Sequence, residues 1–293
     1  MSIALFLMTK KGYMVLESIV KNNLSHLIET VVIGEDSHID NDFSKEIMTL
    51  CINNNISYYF RKQDYKIEAD YALSISWRWI IKDLNSKLIV LHDSLLPKYR
   101  GFAPLVNMLI NGETKLGVTA IFATEQYDEG DIINQAEIDI VYPIKIKEAI
   151  TLILPLYSSL VIAIFNKIEK GNEITSSPQN HKDGTYSLWR DENDYEINWN
   201  WNNDKIIRAI DALGSPYKGA LSLMNNEKIR ILTAEVVPNL NIENRDIGKV
   251  IMLDKGFPIV VCEGGLIKIT EAVYDQTNRS IFPLKKFRTR FHQ

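Results

Sequence analysis

The apolar run Leu88-Ile89-Val90-Leu91 ends in His92, and the next twelve residues, Asp93 to Pro104, are punctuated by Pro97, Gly101 and Pro104. Such a run reads as a strand buried on both faces of a parallel sheet. Pro97 disfavours the helical region for Leu96, so a loop must follow before any helix can begin. His92 is therefore expected at the carboxyl end of a strand, where open α/β sheets carry their chemistry. A lone histidine in that place is as often a satisfied structural residue as a reacting one.

The rest of the chain supplies the sheet. Residues 2–8 and 30–33 are β-branched, apolar runs, and 13–21 between them places Met14 and Ile19 at helical spacing. A helix through Cys51 and strands at 56–60 and 71–75 continue a doubly wound pattern. No GxGxxG follows the first strand, so a dinucleotide cofactor is not expected. A strand at 118–123, a loop at 124–130 and a helix at 147–168 come next. The most membrane-like stretch, 150–168, contains Pro155, two serines and Asn166, and reads as a buried helix rather than a span. After the small-polar run 173–184 the character changes to a helix at 205–213, a turn at 214–220 and short strands at 228–236, 248–253, 259–262 and 266–272. The expected fold class is α/β: a Rossmann-like, doubly wound, mostly parallel sheet in residues 1–183, then a helix and a smaller C-terminal open β-barrel (OB-like) in residues 184–293.

Charge limits the partners. The 293 residues carry a net charge of -4, and the sequence pI is near 5.8. Phosphate binding relies on clustered Lys and Arg, so no nucleic acid is expected. The stretch 35–46, with Glu35, Asp36, Asp40, Asp42 and Glu46 against Lys45 alone, would repel phosphate. Cys51 and Cys262 lack metal-ligand spacing and read as reduced structural thiols, which goes with a cytoplasmic location. Residues 1–8 are apolar, but Lys10, Lys11 and Gly12 end the run too soon for a secretory core.

Read as one string, HDSLLPKYRGFAPL at 92–105, Asn-Gly-Glu-Thr at 111–114, Gly-Val-Thr at 117–119 and Tyr-Asp-Glu-Gly-Asp-Ile-Ile at 127–133 resemble the N10-formyltetrahydrofolate-dependent formyltransferases. That family includes methionyl-tRNA formyltransferase, glycinamide ribonucleotide formyltransferase and the sugar N-formyltransferases, and the resemblance covers nearly the whole chain. It implies N10-formyltetrahydrofolate as co-substrate, no metal, and a catalytic pair of His92 and Asp128. Their separation of 36 residues matches the sugar-modifying members. The resemblance to the domain that acts on UDP-4-amino-4-deoxy-L-arabinose puts Trp79, Ile80 and Ile81 against the pterin, with Thr124, Glu125, Gln126, Tyr127 and Asp128 completing the folate site. Formyl transfer to an amine needs a route for the amine's proton and donors for the oxyanion. Asp128 orients His92, which stabilises the oxyanion and passes a proton to the leaving nitrogen. The family's asparagine two residues before the histidine is Val90 here: either Ser76, Ser94, Asn107 or a water supplies the missing donor, or His92 and Asp128 work alone, or the chain is inactive.

Lys10 at a strand tip, Tyr99, Arg100 and Phe102 in the loop, and Tyr186, Trp189 and Arg190 past the change in character are candidates to hold the substrate, since aromatics and arginine can stack a base and pair with a diphosphate. The charge pattern favours a nucleotide-linked deoxyamino sugar, as in lipopolysaccharide or O-antigen precursor biosynthesis. Methionyl-tRNA formyltransferase and a non-catalytic paralogue that binds folate or sugar nucleotide are the alternatives. A homodimer without membrane insertion completes the expectation.

Overall fold

The computed structural model describes residues 1–36, 41–81 and 84–292, so Asp40 of the acidic stretch lies outside the described residues. The chain divides into two compact units: Met1–Gly101, Lys115–Ile138 and Leu152–Tyr186 form the first; Phe102–Thr114, Asp139–Thr151 and Ser187–Gln293 the second.

In the first unit β1 (Ile3–Leu7) is buried at every position. The chain returns through α1 (Thr9–Lys21), whose Val15, Leu16 and Ile19 form the apolar stripe, while Met14 is only half-buried. Then come β2 (Ile28–Ile33), α2 (Ser44–Asn53), β3 (Tyr58–Phe60), β4 (Tyr71–Ile75) and β5 (Lys87–His92). A short β6 (Arg100–Gly101) precedes α3 (Pro104–Asn111), which belongs to the second unit, and then come β7 (Lys115–Phe122), β8 (Ile132–Asp139) and α4 (Ile146–Glu169), whose residues up to Thr151 also belong to the second unit. The sheet order is β3-β2-β1-β4-β5-β7-β8. The first five strands in that order run parallel, and β7 pairs antiparallel to β5.

Two elements here go beyond the sequence reading. Pro104 begins a helix rather than ending a loop, because a proline at the first helical turn lacks only an N–H that has no partner there anyway. The half-polar run 132–139 is a strand, with Asn134, Gln135, Glu137 and Asp139 among its residues. By length and composition α4 could cross a membrane. Its Ile153, Tyr157, Leu160, Val161, Ile164, Phe165 and Ile168 are nevertheless buried within the protein.

The second unit contains β9's last residue (β9, Tyr186–Ser187), α5 (Asn203–Leu213) and the strands β10 (Ala220–Met224), β11 (Glu227–Val237), β12 (Val250–Asp254), β13 (Phe257–Cys262), β14 (Gly265–Tyr274) and β15 (Phe291–His292). β10 begins within the stretch expected to be a turn. The sheet order β12-β13-β14-β11-β10-β15 is antiparallel wherever register is defined. Its edges meet at one end, where Val250 N–H donates to Thr289 O (3.0 Å) and Phe291 N–H to Gly248 O (2.8 Å). That is the open barrel expected. α5 buries Ile206, Ala209, Ile210, Ala212 and Leu213. Two earlier segments join this unit: Arg208 Nε donates to Ile110 O of α3 (3.1 Å), and Tyr142 Oη to Glu113 O (2.9 Å). Cys51 and Cys262 are free and buried, and burial pushes each thiol up to about 12.

Candidate active site

His92 is the last residue of β5 and is 8% exposed. Its Nδ1 lies 3.4 Å from Asp128 Oδ2, and its Nε2 lies 2.8 Å from the carbonyl oxygen of Tyr99. A carbonyl only accepts, so Nε2 carries a proton and donates it to Tyr99. That leaves Nδ1, on the side of Asp128, as the ring atom that can take up or release a proton. The pair expected from the sequence is together, with the imidazole anchored by a carbonyl that the sequence reading did not anticipate.

Asp128 is placed from three directions. Gly130 packs so closely on the end of β7 that a Cβ there would lie 1.6 Å from Phe122 O, so only glycine lets the loop turn at that point. Gly101 N–H donates to Asp128 Oδ2 (2.8 Å). Gln179 Nε2 donates to the carbonyls of Asp128 (2.8 Å) and Gly130 (2.7 Å), while its Oε1 accepts from Arg100 Nη2 (2.7 Å) and Nε (3.1 Å). Arg100 is 2% exposed and also faces Glu129 Oε1 at 3.3 Å. It braces the loop that carries Asp128.

The loop after His92 is held from its other side. Thr119 Oγ1 donates to Ser94 O (2.6 Å) and accepts from Leu96 N–H (3.1 Å), and Gln135 Nε2 donates to Leu96 O (2.8 Å). Tyr99 N–H donates to Thr185 Oγ1 (2.9 Å). Gln179, Gln135 and Thr185 were not among the site residues expected from the sequence, and Thr119 entered only as the last residue of the Gly-Val-Thr motif. Nothing in their spacing marks them, and Gln179 sits inside the small-polar run that looks like a boundary.

At the tip of β4, Ser76 is left-handed with φ 55°. Trp77 packs edge-on against Phe6 and Trp79, each at 5.2 Å between ring centroids, so it belongs to the packing. Trp79 lies under the Arg61 guanidinium at 4.0 Å from its ring centroid. Ile80 is exposed, Ile81 packs against the cluster of Phe6, Val32 and Ala72, and Thr124, Glu125, Gln126 and Tyr127 are exposed. The acidic stretch is partly spent locally. Asp36 pairs with Arg78, while Asp42 accepts from the backbone N–H groups of Asp36 and Ser44, each at 2.9 Å.

Val90 has Ser74 and Ile121 as its strand neighbours. Of the candidate stand-in donors, Ser94 gives its hydroxyl to Lys98 O (2.6 Å), and Asn107 donates to Ala103 O (2.9 Å) while accepting from Arg190. The Ser76 hydroxyl makes no hydrogen bond among the described residues. Among the substrate candidates, Lys10, Phe102, Tyr186 and Trp189 are exposed. Arg190, whose pKa is pushed down by burial, also donates to Asp194 O at 3.1 Å. Among the described residues no cluster of three His, Cys, Asp or Glu comes together to hold a metal.

Residues 54–150 match the sequence model of formyl transferases, and 190–280 that of the formyl transferase C-terminal domain. A methionyl-tRNA formyltransferase of Thermodesulfovibrio yellowstonii is 34% identical over 72% of this chain and 67% of its own. The bifunctional polymyxin resistance protein ArnA of Wigglesworthia glossinidia brevipalpis is 31% identical over 80% of this chain and 38% of its own. Several curated relatives match over only 56 to 64% of their own length. The N-formyltransferase of Helicobacter canadensis, solved with folinic acid and dTDP-3-aminofucose, superposes with a TM-score of 0.70 at 18% identity, covering 92% of this chain and 99% of that one. At that identity the likeness establishes the fold.

Proposed function

Because this chain belongs to the formyl transferase family, we propose that it moves the formyl group of N10-formyltetrahydrofolate onto the amino group of a nucleotide-linked deoxyamino sugar. The observation that carries the reading is His92 at the tip of β5 with Nδ1 facing Asp128. Attack by the amine on the formyl carbon produces an oxyanion and an ammonium. The ammonium's proton passes to His92 Nδ1 beside Asp128 and then to the folate N10 as the carbon–nitrogen bond breaks. A pair separated by 3.4 Å tightens once substrate excludes water, as catalytic hydrogen bonds commonly do. With both sides of the imidazole facing acceptors, the oxyanion needs a separate donor. Ser76, whose hydroxyl makes no hydrogen bond among the described residues, is the candidate at the tip of β4.

In this reading Trp79, Ile80 and Ile81 with residues 124–128 form the folate face, Lys10, Tyr99 and Tyr186 contact the sugar nucleotide, and Arg100 braces the loop that carries Asp128. The product is a precursor for a surface glycan such as O-antigen, made in the cytoplasm by a homodimer. The acidic stretch 35–46 and the net charge of -4 support a sugar nucleotide over tRNA. A second reading, methionyl-tRNA formylation, draws on the sequence identity with those enzymes. Incubation with the formyl folate and UDP-, GDP- and dTDP-linked amino sugars, beside charged initiator tRNA, separates the two by mass spectrometry. Formyl-sized increments on a sugar are expected; formylated methionyl-tRNA with no sugar product would overturn the sugar reading.

A further inference from the structure

The side chain next to His92 takes no part in the proton route, yet it is among the most constrained in the first unit. Asp93 is 20% exposed and forms an ion pair with Lys11 of α1, itself 16% exposed. Its other carboxylate oxygen accepts from the hydroxyl of Tyr157, a residue of α4 that is 2% exposed. Lys11 Nζ also stands 5.2 Å from the centroid of the Tyr157 ring. A second bond, Ser18 Oγ to Ser158 Oγ at 2.9 Å, ties the same two helices together.

From this geometry we infer that Lys11, Asp93 and Tyr157 form an ionic clamp that positions His92 for proton transfer. Asp93 follows directly on His92, the last residue of β5, so fixing Asp93 between two helices restrains the backbone from which the His92 side chain leaves. The Tyr99 carbonyl holds the ring at Nε2, and the clamp holds the main chain from which the ring hangs. Two attachments are needed because a hydrogen bond at one ring atom still allows the Cα to shift. A largely buried ion pair is a poor source of stability compared with apolar packing of the same volume, whereas its geometric demands are strict. Burial opposes ionisation of Asp93, but the Lys11 ammonium, followed by the Tyr157 hydroxyl and His92, outweighs it and holds the carboxyl below the usual range.

The clamp rests on the reading that His92 handles the proton, and its test separates the two. Lys11→Met/Asp93→Asn removes both charges and leaves neither unpaired. The expected double variant melts near the parent and keeps its KM for folate, and its kcat falls about tenfold, since a misplacement of about 1 Å can cost as much as a hundredfold. Its His92 imidazole resonances, followed by nitrogen-15 NMR, shift or split. Lys11→Arg, which keeps the pair, retains most of the turnover. Parental kcat with unmoved His92 resonances in the double variant would overturn the clamp. If the double variant does not fold, Tyr157→Phe decides: about a two- to fivefold fall in kcat with shifted resonances supports the clamp, and no change in either sinks it. Should the parent transfer no formyl group, the proposed function fails, and the His92 resonances alone settle the clamp by the same criterion.

Discussion

Both units contain backbone in the left-handed region, but they put it to different use. In the second unit Asn225 and Asn226 join β10 to β11 with φ of 51° and 69°, and Lys255 and Gly256 join β12 to β13 with φ of 52° and 85°. Two-residue hairpins want that conformation, and asparagine and glycine accept it readily. In the first unit Thr9, Ser76, Tyr99 and Asp128, at strand tips and in the loops that follow, are left-handed with φ between 55° and 61°. Threonine and tyrosine resist it, at a cost of about 1–3 kcal/mol each, whereas aspartate accepts it much as asparagine does. Tertiary bonds keep two of them there: Thr185 holds Tyr99, while Gly101 and Gln179 hold Asp128. Turn strain in the second unit belongs to the scaffold, and strain at the strand tips of the first belongs to the site.

The comparison breaks most visibly at His92 and Asp128. His92→Ala and Asp128→Asn are each expected to lower turnover by about 100-fold or more with little change in melting, and the double variant should be scarcely worse than either single, because the two act as a unit. Near-parental turnover in either would make the pair structural.

A smaller effect is expected at Asp211 of the second unit, a carboxyl that burial pushes up to about 6, with Lys145 opposing and Glu148 adding to the shift. Its folded value stands above the ordinary 3.8, so ionisation costs stability as pH rises through this window, and the cost is complete above about 6. Asp211→Asn should therefore raise stability at pH 8 by on the order of 1 kcal/mol, after discounting for partial exposure, and leave it unchanged at pH 4. Chemical denaturation at the two pH values checks the sign, and an equal gain at both would remove burial of the charge as the cause.

The smallest effects sharpen the contrast itself. Ser76→Gly should relieve the backbone and gain up to about 1 kcal/mol while turnover falls, whereas Asn226→Gly should change stability by less than about 0.5 kcal/mol and turnover not at all. Thermal melts paired with rate measurements decide it. A Ser76→Gly protein with full activity would deprive the strand-tip strain of its functional meaning.

The parallel strands were legible from local apolar runs such as 88–91, of which Ile89 and Leu91 are buried and Leu88 and Val90 half-buried, and the His92 to Asp128 pair from the motifs that carry the resemblance. α3 was hidden by Pro104, which reads equally as a breaker and as a helix start. β8 was hidden because Asn134, Gln135 and Glu137 break up its apolar pattern. The sequence also left Arg100 among the substrate candidates, since nothing near it in the chain foretells Gln179, 79 residues away. The Asp93 clamp joins residues 82 and 64 positions apart, and only the folded sheet brings them together.

The interleaving of the units bears on how such proteins can be recombined. A chimera joined between residues 183 and 184, where the sequence suggests a division, would take α5 from one parent and α3 from the other. The bond from Arg208 to Ile110 would then cross a seam between unrelated surfaces. Exchange of the barrel alone should yield poorly soluble hybrids, and a working graft has to carry residues 102–114 and 139–151 along with it.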